Sequence, residues 1–233
     1  ALVLDIEARL PKAEGAERRA ALRALAMWCN LHGQWSRSLD LTAEALVNAE
    51  PRDEEVIGLV RRFWACLYVG DHNAASAAAD RALREAGQAD RPDLTIEALR
   101  VVAQGRAERG DFDGCLEAHK HALSLARRLG RVDRVAAQLA EICNAMLMAD
   151  RAEDVPAQAR ETLRVAQAVG QRFATIMGRA TELSARLQLG DSGLVDDSRA
   201  MYQEAIAAGW YVAAEGMRYT MCTALLREGL VDE

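Results

Sequence analysis

Two interleaved series of glycines constrain the fold of this chain more than any other feature. Gly33, Gly70, Gly110, Gly190 and Gly229 each end a helix-patterned run, with gaps of 37, 40, 80 and 39 residues. The gap of 80 holds two units, with Ala149-Asp150 where the missing glycine belongs. Gly87, Gly130, Gly170 and Gly209 form the second series, with gaps of 43, 40 and 39. A glycine just past a helix takes the left-handed conformation that closes its C-terminus. Two such series at a common period of about 40 specify a repeated helix–turn–helix–turn unit.

Each unit has a physical reading. A first helix ends at a glycine, and an aspartate follows in Gly70-Asp71, Gly110-Asp111 and Gly190-Asp191. A short acid there can accept from the free N–H groups of the next helix and suits the positive end of its dipole. Losing such a cap costs about 1 kcal/mol. The second helix runs to the second glycine, as in Leu116 to Leu129 before Gly130 and Ala159 to Val169 before Gly170. Composition agrees: 51% of residues are apolar but only 5% aromatic, and four are proline. A core that poor in aromatics rests on Leu, Ala and Val, which suits helices better than a β-sandwich.

The stretch from Gly110 to Leu125, GDFDGCLEAHKHALSL, resembles the second half of a tetratricopeptide repeat (TPR). Gly110, Asp111, Phe112, Ala122 and Leu123 fall on that signature. Gly33, Trp35, Ala45 and Leu46 repeat it, as do Gly70, Asp71, Ala82 and Leu83, with His72 in place of the aromatic. In the fourth copy Asp150 takes the glycine site, Thr162-Leu163 the Ala-Leu site, and Pro156 falls early in the second helix. The fifth carries about three extra residues after Gly190. The resemblance implies an all-α right-handed superhelix, an α-solenoid of stacked antiparallel helix pairs. Repeats are expected at about 15–50, 51–90, 91–130, 131–170 and 171–209, with partial repeats at 1–14 and 210–233. The long period, with tails such as ALSLARRLG (122–130) and TLRVAQAVG (162–170), is similar to the extended repeats of two groups of large bacterial proteins. These are ATP-dependent transcription regulators of the LuxR and maltose-activator type, and cyclase–ATPase–TPR proteins.

Both ends read as cut. The chain opens on Ala1, and residues 1–10 look like the end of a second helix without its first. Residues 216–233 look like a first helix and a turn without their second helix. Complete arrays carry polar caps, so a single repeat domain excised from a longer protein is expected.

Motifs for chemistry are missing from the sequence: no phosphate loop, GxGxxG, HExxH, CxxC or GxSxG. The five cysteines are odd in number and far apart, as expected of reduced thiols in a cytoplasm. Cys29, Cys66, Cys115, Cys143 and Cys222 fall at offsets that predict the packed face, where a thiol is a small hydrophobe. His119 and His121 point about 200° apart on a helix and cannot chelate a metal together, so one is expected packed and one solvated. His32 and His72 flank turns. Asp196-Asp197 and Glu54-Glu55 lie near helix starts, where the dipole accounts for acids. No catalytic, cofactor or metal site is therefore expected. A net charge of −6 argues against nucleic acid. No apolar run approaches the roughly 18 residues of a membrane span, and a cytoplasmic location is expected.

What remains is a surface. In tetratricopeptide arrays the first helix of each pair lines the concave face. Counting back from the turn glycines places Arg23, Met27 and Asn30 there, then Arg61, Trp64 and Tyr68. Glu97, Arg100, Gln104 and Glu108 follow, then Glu141 and Asn144. Trp64 and Tyr68 are spaced i,i+4 with Arg61 a turn earlier, the composition of a binding hot spot. Trp64 has a second reading as filler between hairpins beside Phe63 and Leu67. The expected role is non-catalytic: a scaffold or sensor segment of a larger bacterial signalling or transcription regulator. Its partner would be a protein or peptide, another domain of the same parent, or a small effector. The other class is a segment of a multidomain enzyme, a cyclase or ATPase, whose catalytic domain lies outside this chain.

Overall fold

The structure, a computed structural model, describes residues 2–47 and 52–230. It divides into two compact units, Ala1–Asp111 and Phe112–Glu233. The first holds α1 (Leu2–Arg9), α2 (Gly15–Leu31), α3 (Trp35–Leu46), α4 (Arg52–Val69), α5 (His72–Gln88) and α6 (Pro92–Ala107). The second holds α7 (Phe112–Arg128), α8 (Val132–Met148), α9 (Val155–Ala168), α10 (Arg172–Gln188), α11 (Val195–Ala207) and α12 (Tyr211–Glu228). Short 3-10 turns at Leu10–Lys12 and Ala152–Asp154 precede α2 and α9. Among the described residues there is no strand. The expected junction of the first two repeats, at residues 50 and 51, lies outside the described residues.

The turns explain the period. Gly33, Gly70, Gly110, Gly190 and Gly229 all have positive φ, and Asp150 has φ 58° at the site that lacks a glycine. At each of these the next residue's N–H reaches back to the last helical turn, as in Asp71 N to Cys66 O at 2.9 Å and Arg151 N to Met146 O at 3.0 Å. This bond satisfies a carbonyl that a helix end otherwise leaves open. Asp71 caps α5 as expected, accepting from Ala74 N at 2.9 Å. Pro92 and Pro156 sit in the first turns of α6 and α9, where no N–H is needed.

Three expectations are corrected. Gly87 does not end its helix: α5 runs through it, and Asp90 takes the left-handed conformation at φ 50°. A short polar side chain tolerates that conformation, and the turn then falls 40 residues before Gly130. Asp191 is not a cap, because the extra residues delay α11 to Val195; its carboxylate accepts from Arg186 Nε at 2.9 Å. Cys222 is exposed. The buried arc of α12 carries Ala213, Ala214, Met217, Thr220 and Ala224, and a residue two positions from Thr220 points the other way.

Within each unit every helix packs against its sequence neighbours. In the first, the alternate helices α2, α4 and α6 also touch one another, whereas α3 and α5 have no comparable contact among the described residues. In the second, α8 touches α10 and α10 touches α12. The first helices of successive pairs therefore pack side by side within each unit. The core of the first unit centres on Phe63, fully buried among Val56, Leu59, Ala78, Ala82 and Val101. Gly105 of α6 faces the ring, and a Cβ there would lie in ordinary contact with it at 3.4 Å. Burying such a ring contributes about 2–3 kcal/mol. The second unit has a core of Ile176, Leu194, Met201, Met217 and small residues.

Candidate functional site

The candidate face of the first unit is assembled from α2, α4 and α6 by their helical period. On α4, Phe63 turns into the core, and the expected binding residues around it are Arg61, Trp64 and Tyr68. Trp64 is half-buried. Its indole meets the Phe63 ring edge-on at 5.2 Å, and the Arg100 guanidinium lies 5.3 Å from its centroid. Tyr68 is 46% exposed. Its ring lies 6.2 Å from Trp64 and stacks on Trp35 at 4.1 Å. Burial first, then the nearby Glu108 charge, push the Tyr68 phenol above its usual pKa. Both readings of Trp64 thus have support, because one side packs on the core while the rest joins a partly open aromatic cluster.

Charged groups frame this cluster. Arg100 pairs with Glu97 at 3.3 Å, and Gln104 Nε2 donates to Glu108 at 2.7 Å. Between α2 and α4, Arg19 and Arg23 pair with Glu54 at 2.7 and 3.0 Å. Burial alone would raise the Glu54 carboxyl, but hydrogen bonds from Arg19 and Arg23 outweigh it and hold it below its ordinary value. Asn30 Nδ2 donates to the Arg61 carbonyl at 3.4 Å. Burial, then the positive charge of Arg23, push the Arg61 guanidinium below its usual value.

Of the eight residues expected to form a binding face, six lie on α4 and α6 of the first unit: Arg61, Trp64, Tyr68, Glu97, Arg100 and Gln104. Glu141 and Asn144 are half-buried on α8 of the second unit. Met27 is exposed on α2. Sequence reasoning gave Trp35 only a place in the repeat signature and Glu54 only a dipole role. Trp35 in fact reaches Tyr68 of the next hairpin, and Glu54 bridges two arginines of the previous one. The aromatic at the signature offset was a usable signal for Trp35; for Glu54 there was none.

The other polar residues have packing roles. His119 is buried, with Nδ1 3.0 Å from Gln138 Oε1, while His121 is exposed. His32 stacks on Trp28, and its Nδ1 lies 2.8 Å from the Trp28 carbonyl. Cys29, Cys66, Cys115 and Cys143 are buried. Burial pushes the Cys143 thiol up to about 11, against a weaker opposing hydrogen bond with Thr162. Among the described residues no group of three His, Cys, Asp or Glu side chains is placed to hold a metal ion, and no helix is long and apolar enough to cross a membrane.

No protein-family model matches this sequence, and no curated protein matches it. Solved structures do. The chain is similar to aspartyl phosphate phosphatase F from Bacillus subtilis, with a TM-score of 0.78 at 11% identity over 97% of this chain and 59% of that one. It is similar to a Rap protein complexed with Competence and Sporulation Factor, with a TM-score of 0.73 at 14% identity over 90% of this chain and 59% of that one. A third likeness is to a signal transduction ATPase with a tetratricopeptide repeat sensor from Pyrococcus horikoshii. Its TM-score is 0.66 at 10% identity, over 96% of this chain and 35% of that one. The chain thus spans 59% of the length of each of the first two. At these identities the likeness establishes the fold, an all-α TPR-like helical repeat solenoid.

Proposed function

We propose that this chain is a non-catalytic repeat segment that holds a protein or peptide partner. The observation that carries the reading is the cluster of Trp35, Trp64 and Tyr68 flanked by Arg61 and Arg100. An aromatic surface beside guanidinium groups, half-buried and yet open at Tyr68, is the usual composition of a protein-binding hot spot. A Rap protein of the same fold was solved with a bound factor, which supports a partner of that kind. Another domain of a common parent, or a small effector, could occupy the same face. Nucleic acid would meet an acidic chain with no basic stripe.

The parent we favour is a cytoplasmic bacterial signalling or transcription regulator of the LuxR and maltose-activator type, with this segment as its sensor. The likeness to a signal transduction ATPase with a repeat sensor supports an ATP-dependent parent. It equally supports the second reading, a segment of a cyclase or ATPase whose catalytic domain lies elsewhere.

The test is binding of the labelled chain to an array of short randomised peptides, repeated with Tyr68→Ala. Selected binders that Tyr68→Ala holds about tenfold less tightly, at an unchanged melting temperature, support the reading. An array without binders sinks it.

A further inference from the structure

Two tryptophan rings already have a guanidinium group beside them. Arg100 lies 5.3 Å from the Trp64 centroid, and Arg172 lies 5.9 Å from that of Trp210. At Trp64 the arrangement is complete, because Glu97 gives Arg100 a carboxylate at 3.3 Å. Further along the same two helices the parts recur without the cation. Tyr68 on α4 and Glu108 on α6 each stand two residues before a turn glycine, Gly70 and Gly110, and α4 packs against α6. They are therefore at one level of neighbouring helices. The Tyr68 ring, stacked on Trp35 at 4.1 Å, is nearly half exposed. Glu108 is exposed, and its carboxylate accepts from Gln104 Nε2, a neutral donor, at 2.7 Å. Its charge adds to the effect of burial on the Tyr68 phenol. Among the described residues no cation pairs with Glu108, and none lies over Trp35 or Tyr68. A carboxylate beside an open aromatic pair lacks only a cation. Both groups are open to solvent, so a docked segment can reach them.

We infer that the Trp35–Tyr68 pair and Glu108 together receive an arginine side chain of a bound peptide. Its guanidinium plane rests on the aromatic pair, and its N–H groups donate to the Glu108 carboxylate. The inference rests on the peptide-holding reading above and names the chemistry of the residue held. Arginine suits the site better than lysine. A planar guanidinium stacks on a ring while its fork addresses a carboxylate, whereas an ammonium is a compact and strongly hydrated point charge. Arg100, on Trp64 and beside Glu97, is an example of the same arrangement within the chain. An acidic side chain of the ligand would instead meet Glu108 and be repelled. The net charge of −6 also draws a basic partner toward the chain.

The experiment screens the whole chain against the same array of randomised peptides. The expected result is enrichment of Arg over Lys and over neutral residues among the binders. Replacing that Arg by citrulline, which keeps the shape and removes the charge, should weaken binding about 3- to 30-fold. Glu108→Gln should cause a loss of the same order and make the Arg and citrulline peptides bind nearly alike. The citrulline exchange alters only the peptide, so it reads the contact whatever the variant does to folding. Glu117→Gln, the same change of charge at an exposed residue of α7, should leave binding as it is. Binders without enrichment of Arg, or an Arg preference that Glu108→Gln leaves intact, would overturn the inference and leave the peptide-holding reading standing. An equal loss with Glu117→Gln would trace the preference to net charge and overturn it too. N-acetylarginine amide that binds as tightly as the peptides would make the ligand a small effector and defeat the assignment. An array without binders would defeat both readings.

Discussion

The Trp35 indole stacks on the Tyr68 ring with centroids 4.1 Å apart and planes 17° from parallel. This contact joins the start of α3 to the end of α4 and holds Tyr68 in place while nearly half of it stays open. Tyr68→Ala should therefore cost little stability, about 1 kcal/mol. Trp64→Ala should cost about 2–4 kcal/mol, because that indole also packs on Phe63 and under Arg100. Chemical denaturation of the two variants checks the order. Equal losses would show that Tyr68 is as much a core residue as Trp64.

Glu54 should make stability depend on pH in a fixed direction. Its pKa is lower in the folded state than the ordinary 4.5, so its contribution is present above that value. It is lost as pH falls through the lower folded value. Glu54→Gln should lose about 1–3 kcal/mol at neutral pH and close to nothing in strong acid. Urea midpoints of both proteins across this range provide the measurement. A gap that stays constant with pH would contradict the charge-based role.

The thiols should separate by exposure. Cys222 should react with a thiol reagent at once in the native protein, and the other four only as the protein opens. Cys143 should be among the slowest at mildly alkaline pH, since its pKa of about 11 leaves almost no thiolate there. Mass spectrometry after brief labelling would show one modified site, and five after unfolding.

Two glycines should respond oppositely to alanine. A Cβ at Gly216, within α12, meets no atom within 4 Å, so Gly216→Ala should raise stability by about 0.5–1 kcal/mol. A Cβ at Gly178 would lie 3.2 Å from Thr162 Cγ2. Thr162 cannot easily yield, because its hydroxyl is held by Gln158 O at 2.9 Å and lies 3.4 Å from Cys143 Sγ. Gly178→Ala should lose about 1 kcal/mol or more. Thermal melts of the pair would settle the sign of each.

Asp150 occupies a turn position that glycine fills in most copies, at φ 58°. Asp150→Gly should raise stability by a few tenths of a kcal/mol to about 1 kcal/mol, because a Cβ is strained in that conformation. No change in melting temperature would mean that the aspartate side chain offsets the strain locally.

Much of this fold was legible because it is written in local chemistry. A left-handed residue after each helix is a demand of the backbone, and glycine meets it visibly at Gly33, Gly70 and Gly110. Even the exceptions obey the demand, with Asp90 and Asp150 taking the same conformation. Gly87 misled because a glycine inside a helix and one after it look alike in sequence. Cys222 misled because a distance from a turn fixes a helical phase only when the neighbours on each side are known.

The period and the helix pairs were determined by the sequence alone, because the dihedral preferences of turn residues and the spacing of apolar side chains act over a few residues. The helix that carries each candidate residue was legible too, because it follows from the turn positions. Their relationships were decided only by tertiary structure. Glu54 meets two arginines more than thirty residues away in sequence, Arg100 covers Trp64, and among the described residues Arg61 Nη1 is left without a hydrogen-bond partner. Charge pairing depends on distances between helices, and those are set by contacts between distant parts of the chain, as at Gly58, where a Cβ would lie 2.7 Å from Leu46 Cδ2. No local pattern encodes which cation will be left without a partner.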